Sequence, residues 1–268
     1  MSIKVKHIEL PNGVNLQYAE QGEKSGIPII FIHGLSDSWR SFERVLPSLP
    51  ESVQAYAVTL RGHGDSSRPK EGYRFRDFAA DIKIFMELKS IEKAVIAAHS
   101  MGCLVAQSFA VEYPELVKGL ILIGSPYRPS EKEELKAFGD FVMSSIEDPV
   151  PSEFVREFQE STLVKPVPDD FLELIIEESL KLPARVWKAV IESFMQDDLS
   201  RELNKINAPT LLIWGDKDSM FSRSDQDEQI SVINNSKLII YEGVGHGVHW
   251  EEPQRFVEDL SSFINKIA

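Results

Sequence analysis

The sequence has little of several features that would commit it to another class of protein. Its 268 residues include one cysteine, Cys103, so no disulfide forms within the chain, and we expect its thiol to pack in the core. No apolar run approaches the roughly 20 residues that span a bilayer. Neither a glycine-rich phosphate loop nor an H-E-x-x-H motif is present. We therefore expect no membrane span, no metal and no cofactor.

Positive charge is scarce. The chain has 29 Lys and Arg against 42 Asp and Glu, a formal net charge of -13. Such a protein repels polyanions, so we expect no nucleic-acid or membrane partner and favour a small neutral substrate. Residues 1–7 lack the apolar core of a secretion signal, which predicts a cytoplasmic protein. We expect a monomer or a homodimer.

Hydrophobic patterning predicts an α/β fold. Residues 3–10 and 14–21 alternate polar and apolar side chains around Pro11-Asn12-Gly13, which indicates an edge hairpin. Further along, short apolar runs alternate with segments of helical spacing, which predicts a mostly parallel sheet covered by helices on both faces. The predicted strands are 28–32, 53–59, 94–98, 119–124, 210–214 and 237–241, and the predicted helices of the core are 39–49, 75–86, the segment from Ser100 to Tyr113 and one near Pro253.

A gap of some eighty residues separates two of the predicted strands. Four helical segments fill it, at roughly 130–147, 152–163, 168–181 and 183–197, and Ser130 to Glu133 has the pattern of a capping box. The chain is too short for two domains with separate cores. We therefore predict a core domain of residues 1–126 and 206–268 with a helical cap of residues 127–205. The cap has ten Lys and Arg against eighteen Asp and Glu, a charge of -8.

The most informative stretch runs from Ala94 to Gly102. An apolar run of strand type ends at Ala98, and helical spacing follows Ser100 until Tyr113. A strand that enters a helix through one tight turn needs small residues on both sides of the turn, and here they are Ala98 and Gly102. The pattern A-x-S-x-G predicts a nucleophile elbow that lifts the Ser100 hydroxyl above the carboxyl edge of the sheet.

A serine hydroxyl needs a base to accept its proton, and the base needs an acid to orient it. His246, flanked by glycines after the predicted strand 237–241, is the best-placed base among the six histidines. His249 is expected to pack at the start of the final helix. The loop after residues 210–214 offers Asp216 and Asp218, and chemistry alone allows either to be the acid.

The order Ser, Asp, His is that of the α/β-hydrolases. Over essentially its whole length the chain resembles an α/β-hydrolase-fold enzyme of the esterase and lipase type with a helical cap. The motifs that carry the resemblance are H-G-x at residues 33–35, R-G-x-G-x-S at 61–66, the elbow at 99–102, G-x-x-D at 215–218 and G-x-G-H-x-x-H at 243–249.

The resemblance assigns a role to each member of the predicted site. It implies that Ser100 is the nucleophile, Asp218 the acid and His246 the base. It also implies an oxyanion hole made of the backbone N–H groups of Leu35 and Met101. The predicted activity is therefore a cofactor-free hydrolysis that passes through an acyl-enzyme.

Substrate preference depends on the cap. Its helices are rich in bulky apolar groups, and those not needed for packing should line a pocket. We expect Phe141 and Trp187, together with His33 and Gly34, to contact the substrate. With the negative charge of the cap, this predicts small, neutral, hydrophobic carboxylic esters or lactones.

Several other functions remain open at this stage. A carbon-carbon bond hydrolase, an amidase and a perhydrolase use the same triad, and a small-ligand receptor or signalling adaptor can retain it. The haloalkane dehalogenases and epoxide hydrolases resemble this chain too, but they have an aspartate at the elbow. The serine at position 100 argues against these two branches.

Overall fold

The computed structural model describes residues 2–267. Its centre is an eight-stranded sheet in the order β1-β2-β4-β3-β5-β6-β7-β8. The pairs β1–β2 and β2–β4 are antiparallel, and the remaining pairs are parallel. The predicted mostly parallel sheet is therefore confirmed. The strands are β1 (Lys4–Glu9), β2 (Asn15–Gln21), β3 (Ile27–Ile32), β4 (Val53–Val58), β5 (Ala94–His99), β6 (Val117–Ile123), β7 (Thr210–Gly215) and β8 (Ser236–Tyr241).

Helices cover both faces of the sheet. Residues of β3 alternate between two apolar clusters, with Ile30 and Ile32 in one and Ile29 and Phe31 in the other. This period of two is that of a strand buried on both sides. The helices are α1 (Phe75–Leu88), α2 (Met101–Glu112), α3 (Glu133–Ser145), α4 (Ser152–Ser161), α5 (Asp169–Leu180), α6 (Ala184–Gln196), α7 (Arg223–Val232), α8 (Val248–Glu251) and α9 (Pro253–Ile267).

The edge hairpin forms around a tight turn. The Leu10 N–H donates to the Val14 carbonyl at 2.8 Å, and the Asn12 side chain accepts from the Val14 N–H at 3.1 Å. Gly13 has a φ of +81°, a backbone conformation that residues with a Cβ rarely adopt. The predicted edge hairpin is therefore present, and its turn residues set the register of β1 on β2.

We refer to residues 127–205 as the insertion, and its division into a separate cap domain stays a prediction. Helices α3, α4, α5 and α6 lie there, close to the predicted bounds. The predicted capping box at Ser130 is wrong. Residues Pro129–Glu131 form a separate 3-10 turn, and Lys132, with φ -90° and ψ +120°, precedes α3 without a side-chain cap.

Two further expectations about helices need correction. Residues 39–49 form two 3-10 turns, Trp39–Phe42 and Leu46–Ser48, instead of one helix. Pro47 lies inside the second turn and has no N–H to donate, so one continuous α-helix over these residues would lack a hydrogen bond. Helix α7 was not predicted, because its sequence has few apolar residues to show a period. None of the helices within residues 2–267 has both the length and the apolar character needed to cross a membrane.

Candidate active site

Four loops meet at the carboxyl edge of the parallel strands, under the insertion. They follow β3, β5, β7 and β8, and we name them the oxyanion loop (residues 33–37), the elbow (99–102), the acid loop (216–221) and the histidine loop (242–247). A cavity of about 990 Å³ lies between these loops and the helices of the insertion, and Ser100, Leu35 and Asp218 line it. This edge is where open α/β sheets bind ligands.

Ser100 occupies the sharp turn predicted between β5 and α2. Its φ of +52° and ψ of -122° are unusual for a residue with a side chain. The Ser100 N–H donates to the Ile123 carbonyl at 2.9 Å, and the Cys103 N–H donates to the Ser100 carbonyl at 2.8 Å. At Gly102 a Cβ would lie 2.5 Å from the His33 carbonyl oxygen, so α2 approaches β3 as closely as the backbone allows. The turn therefore holds Ser100 at the cavity.

His246 and Asp218 form a buried pair. The His246 Nδ1 lies 2.8 Å from the Asp218 Oδ2, and both side chains are almost fully buried. The other oxygen of Asp218 accepts hydrogen bonds from the N–H groups of Met220 at 2.8 Å and Phe221 at 3.1 Å. Because the carboxylate accepts on both oxygens, it holds the His246 ring with its proton on Nδ1.

The second ring nitrogen of His246 is left available. Among the described residues nothing hydrogen-bonds to His246 Nε2, although it is buried. Ser100 and His246 line the same small cavity at the base of the larger one. A neutral imidazole with Nδ1–H held by a carboxylate presents a lone pair on Nε2. Such a nitrogen can accept a proton, and Ser100 lines the same small cavity.

Asp216, the other candidate acid, lies elsewhere. Its Oδ1 accepts from the Gly243 N–H at 2.6 Å, and its Oδ2 is 3.4 Å from the Lys217 Nζ. The hydrogen bond from Gly243 is the main cause that lowers the pKa of Asp216 below its usual value. Asp216 therefore supports the histidine loop, and the structure brings only Asp218 to His246.

Of the two predicted oxyanion donors, Leu35 lines the cavity, and Met101 directly follows Ser100 in the chain. Met101 is the first residue of α2, where the N–H has no intrahelical partner. His33 accepts from the Leu60 N–H at 3.0 Å on Nε2, so its Nδ1 carries a proton and donates to the Gly34 carbonyl at 2.7 Å. In a trans peptide the Leu35 N–H points opposite to that carbonyl, hence away from His33. Leu35 itself lines the cavity.

This geometry corrects one predicted substrate contact. The His33 side chain is 0% exposed and both ring nitrogens are occupied, so it supports the loop from below and does not meet a substrate. Burial and the neighbouring His63 lower the pKa of His33 well below its usual value, which keeps the ring neutral. Gly34 does border the small cavity beside Ser100.

The insertion supplies an aromatic wall. Phe138 and Phe141 of α3 face Phe154 and Phe158 of α4, and the rings of Phe138 and Phe158 are stacked at 5.7 Å between centroids. All four rings line the large cavity, and Phe141 is 47% exposed. The predicted contact at Phe141 therefore faces the cavity.

Trp187 was expected to contact the substrate as well, and this expectation is wrong. Its side chain is 0% exposed, and its ring lies 5.3 Å from those of Phe154 and Phe158, on the side away from the cavity lining. Helix α6 turns this face toward the interior of the insertion. Trp187 therefore supports the aromatic wall from behind.

The charged residues of the cavity are mostly acidic. Lys132 is its one cationic lining residue within the described chain, and it is paired with Asp225. Glu134, Glu153 and Glu157 also line the cavity. An anionic ligand would meet net negative charge here, whereas a neutral apolar ligand would meet the phenylalanine wall.

Other histidines near the site are buried and neutral. His99 donates from Nε2 to the His246 carbonyl at 3.2 Å, and burial, with help from His249 and His246, lowers its pKa well below its usual value. His249 packs beside α9, as predicted, with its Nε2 3.1 Å from the Ser41 Oγ. Burial lowers the pKa of His249 to about 3. Neither ring is available as the base for Ser100.

Sequence reasoning missed three polar residues around the site. Asp37 is 2% exposed in the oxyanion loop, and burial raises its pKa to about 7 although hydrogen bonds from Gln159 and Ser41 oppose the shift. Gln159 and Thr162, at the end of α4, are buried against the loops. No local motif could have identified Gln159, because its partners in the oxyanion loop, Ser36 and Asp37, lie more than 120 residues away along the chain.

Comparison with known proteins agrees with this architecture. A family model described as the alpha/beta hydrolase fold matches residues 27–154 and 181–253. Epoxide hydrolase 1 of Caenorhabditis elegans is 26% identical, over 94% of this chain and 68% of the relative. The AB hydrolase superfamily protein YisY of Bacillus subtilis (strain 168) is 28% identical, over 90% of this chain and 92% of the relative. The crystal structure of a bacterial membrane phospholipase A superposes with a TM-score of 0.86 at 26% identity, over 99% of this chain and 86% of that one.

Proposed function

The chain belongs to the alpha/beta hydrolase fold family, and from that premise we propose that it is a serine hydrolase of small, neutral, hydrophobic carboxylic esters or lactones. The observation that carries the proposal is the Asp218–His246 pair at 2.8 Å, whose free Nε2 shares a cavity with Ser100. A carboxylate that holds an imidazole, with a serine in strained backbone conformation beside the imidazole, is the set of groups used for acyl transfer.

The chemistry follows from the geometry. His246 Nε2 accepts the Ser100 proton as the hydroxyl oxygen attacks the ester carbonyl, and Asp218 stabilises the imidazolium that forms. The N–H groups of Leu35 and Met101 donate to the oxygen that becomes negative. The imidazolium then gives its proton to the departing alcohol, which leaves an acyl group on Ser100. Water, activated by the same nitrogen, hydrolyses that ester and restores the enzyme.

The serine also supports this activity over the one named for the epoxide hydrolase relative. A carboxylate that opens an epoxide forms an ester, and water can hydrolyse it. A serine oxygen would form an ether, which is stable to hydrolysis and would trap the enzyme after one event. Ser100 therefore favours acyl transfer, and the resemblance to a membrane phospholipase A, which by its name acts on an ester, supports the same choice.

The cavity supports a neutral, apolar substrate. Its volume of about 990 Å³ is at the upper end of the range for small-molecule sites. Phenylalanine side chains form the wall above Ser100, and the acidic residues around them disfavour a carboxylate or phosphate. An acyl chain or an aromatic acid would bury its apolar surface against this wall.

One panel of substrates tests the proposal. Wild type, Ser100→Ala and the exposed control Ser262→Ala of α9 are compared on p-nitrophenyl esters, lactones and amides of the same acyl group. We expect ester or lactone turnover that Ser100→Ala lowers by several orders of magnitude and that the control leaves unchanged. Turnover that survives Ser100→Ala would contradict the proposal, and turnover of the amides alone would reassign the bond.

A further inference from the structure

The last turn of α4 touches three of the four loops that form the site. We name this segment, residues 159–162, the α4 terminus. It contacts the oxyanion loop through Gln159, the acid loop through Ser161 and the histidine loop through Thr162. Helix α4 belongs to the insertion, whereas all three loops belong to the sheet edge. The insertion is therefore tied to the catalytic groups by hydrogen bonds as well as by apolar packing.

The contact with the oxyanion loop depends on one amide. Gln159 Nε2 lies 3.1 Å from the Ser36 Oγ, 3.1 Å from the Asp37 Oδ1 and 2.7 Å from the Ser179 Oγ of α5. Its NH2 has two hydrogens, so these three acceptors keep both occupied. The four side chains are at most 2% exposed, and no bulk water replaces a lost bond. Removing the amide leaves the buried Asp37 Oδ1 without its donor, whereas the Ser179 Oγ still accepts from the Ser36 hydroxyl at 3.2 Å.

The contacts with the other two loops use the carbonyls at the end of the helix. The last carbonyls of an α-helix have no intrahelical donor. Here the Thr162 carbonyl accepts from the N–H groups of His246 at 2.8 Å and Gly247 at 3.1 Å. The Ser161 carbonyl accepts from the Ser219 hydroxyl at 3.0 Å. The backbone of the proposed base is thus fixed to the same turn that holds the oxyanion loop.

We propose that the α4 terminus positions the oxyanion loop relative to the catalytic histidine, with Gln159 as its positioning residue. The proposal rests on the proposed function. Leu35, the donor that borders Ser36, must place its N–H within about 2.7–3.1 Å of the oxyanion. A shift of the loop lengthens this hydrogen bond in the transition state without changing the apolar wall that binds the substrate. The loss therefore falls on kcat, and KM changes little.

The surroundings of Asp37 make the proposal testable by pH. Its Oδ2 lies 3.9 Å from the His99 Nδ1 of β5 and accepts from the Ser41 hydroxyl, which also contacts His249 of α8. His246 of the histidine loop is the remaining titratable group that acts on it. Gln159→Glu keeps the size of the side chain but adds a second carboxyl beside Asp37. When both are ionised they repel each other, whereas a protonated glutamate donates a hydrogen bond to Asp37.

The experiment compares Gln159→Glu, Gln159→Leu and the control Gln254→Glu, which lies exposed on α9. Turnover of a neutral p-nitrophenyl ester is measured from pH 5.5 to 9, and each kcat is divided by that of wild type at the same pH. For Gln159→Glu we expect a ratio lowered about 10- to 100-fold at pH 9 that recovers as the pH falls, because one oxyanion donor contributes about 10²–10³-fold. For Gln159→Leu we expect a low ratio at every pH, and for Gln254→Glu a ratio near one.

Each outcome decides the matter. Ratios of kcat near one for both Gln159 variants overturn the positioning role. A ratio for Gln159→Glu that is lowered equally at every pH overturns it too, since that indicates a structural role only. A change that falls on KM alone also overturns it. If Gln159→Leu does not fold, the pH dependence of Gln159→Glu decides alone. Ester turnover that Ser100→Ala does not reduce is a failure of the proposed function instead.

Discussion

Replacing Asp218 with asparagine should abolish catalysis, because it changes which ring nitrogen of His246 carries the proton. In the structure the Asp218 Oδ1 accepts from the N–H groups of Met220 and Phe221, and the Oδ2 faces the Nδ1 of His246. Asparagine must place its oxygen toward the two N–H groups, because its NH2 there would leave two buried donors facing a donor, at about 1–3 kcal/mol each. Its NH2 then points at His246 Nδ1.

A donor at that position selects the wrong tautomer of His246. Nδ1 must then accept, so the ring proton moves to Nε2, and no lone pair faces Ser100. A substitution with this effect in a serine triad lowers kcat by about 10⁴-fold. The size and the hydrogen bonds of the side chain are conserved, so we expect the free energy of unfolding to change little. Asp218→Asn should therefore fold but turn over almost no ester.

Asp216→Asn is the matched control two residues earlier in the chain. Asp216 is partly exposed and bonds to Gly243, and its asparagine can still accept from that N–H. We expect kcat within about threefold of wild type, as for most surface substitutions. The assay is the initial rate on a neutral p-nitrophenyl ester, with thermal unfolding as the check on folding. Equal losses in the two variants, or a larger loss in Asp216→Asn, would show that Asp218 is not the acid that orients His246.

Four further outcomes are expected. Gly102→Ala should lower the free energy of unfolding, measured by urea titration, by more than about 2 kcal/mol, because its Cβ would lie 2.5 Å from a backbone oxygen. Gly139→Ala is the control. Its added Cβ meets only one side-chain methyl, at 3.2 Å, and the higher helix propensity of alanine should offset most of that contact. Burial lowers the pKa of His63 from 6.5 to about 4, so as the pH falls this histidine is protonated in the unfolded chain before it is protonated in the folded protein. Its contribution to stability is complete above pH 6.5 and is lost as the pH falls toward 4. Acid unfolding should show a loss of about 3 kcal/mol. Cys103, whose pKa burial raises to about 12, should react with a thiol reagent only after unfolding in denaturant. A neutral ester should have a higher kcat/KM than its carboxylate analogue at low salt, with the gap narrowing at high salt; a preference for the anion would contradict the charge argument.

The sequence predicted the sheet well because buried strands leave a local pattern. The roles of Ser100, Asp218 and His246 were inferred from local patterns too, and they stay predictions. Continuous apolar runs are typical of buried parallel strands, and each proposed catalytic residue lies in the loop or turn that follows a predicted strand. The small residues beside Ser100 reflect the close approach of α2 to β3, a constraint that one chain shows by itself. Asp218 and Asp216 could not be separated by spacing alone, since both lie in the same turn.

The directions of side chains could not be predicted in the same way. Trp187 and Phe141 both lie on amphipathic helices of the insertion, but one faces inward and the other faces the cavity. This difference depends on how the helices pack on one another, which periodicity does not specify. His33 was misassigned for a similar reason, because its motif shows where the residue lies but not that both its ring nitrogens are occupied. Gln159 acts over a long sequence separation and leaves no local signal.

The central claim is that Ser100 forms a covalent acyl-enzyme with a substrate carbonyl. The most direct measurement is intact and peptide mass spectrometry after a rapid quench of wild type with p-nitrophenyl acetate. We expect one acetyl group per chain, on the peptide that contains Ser100. We expect none on Ser100→Ala and a much slower rise on Asp218→Asn. An unmodified Ser100 in a protein that is turning over the ester, or an acetyl group on another residue, would show that Ser100 is not the nucleophile.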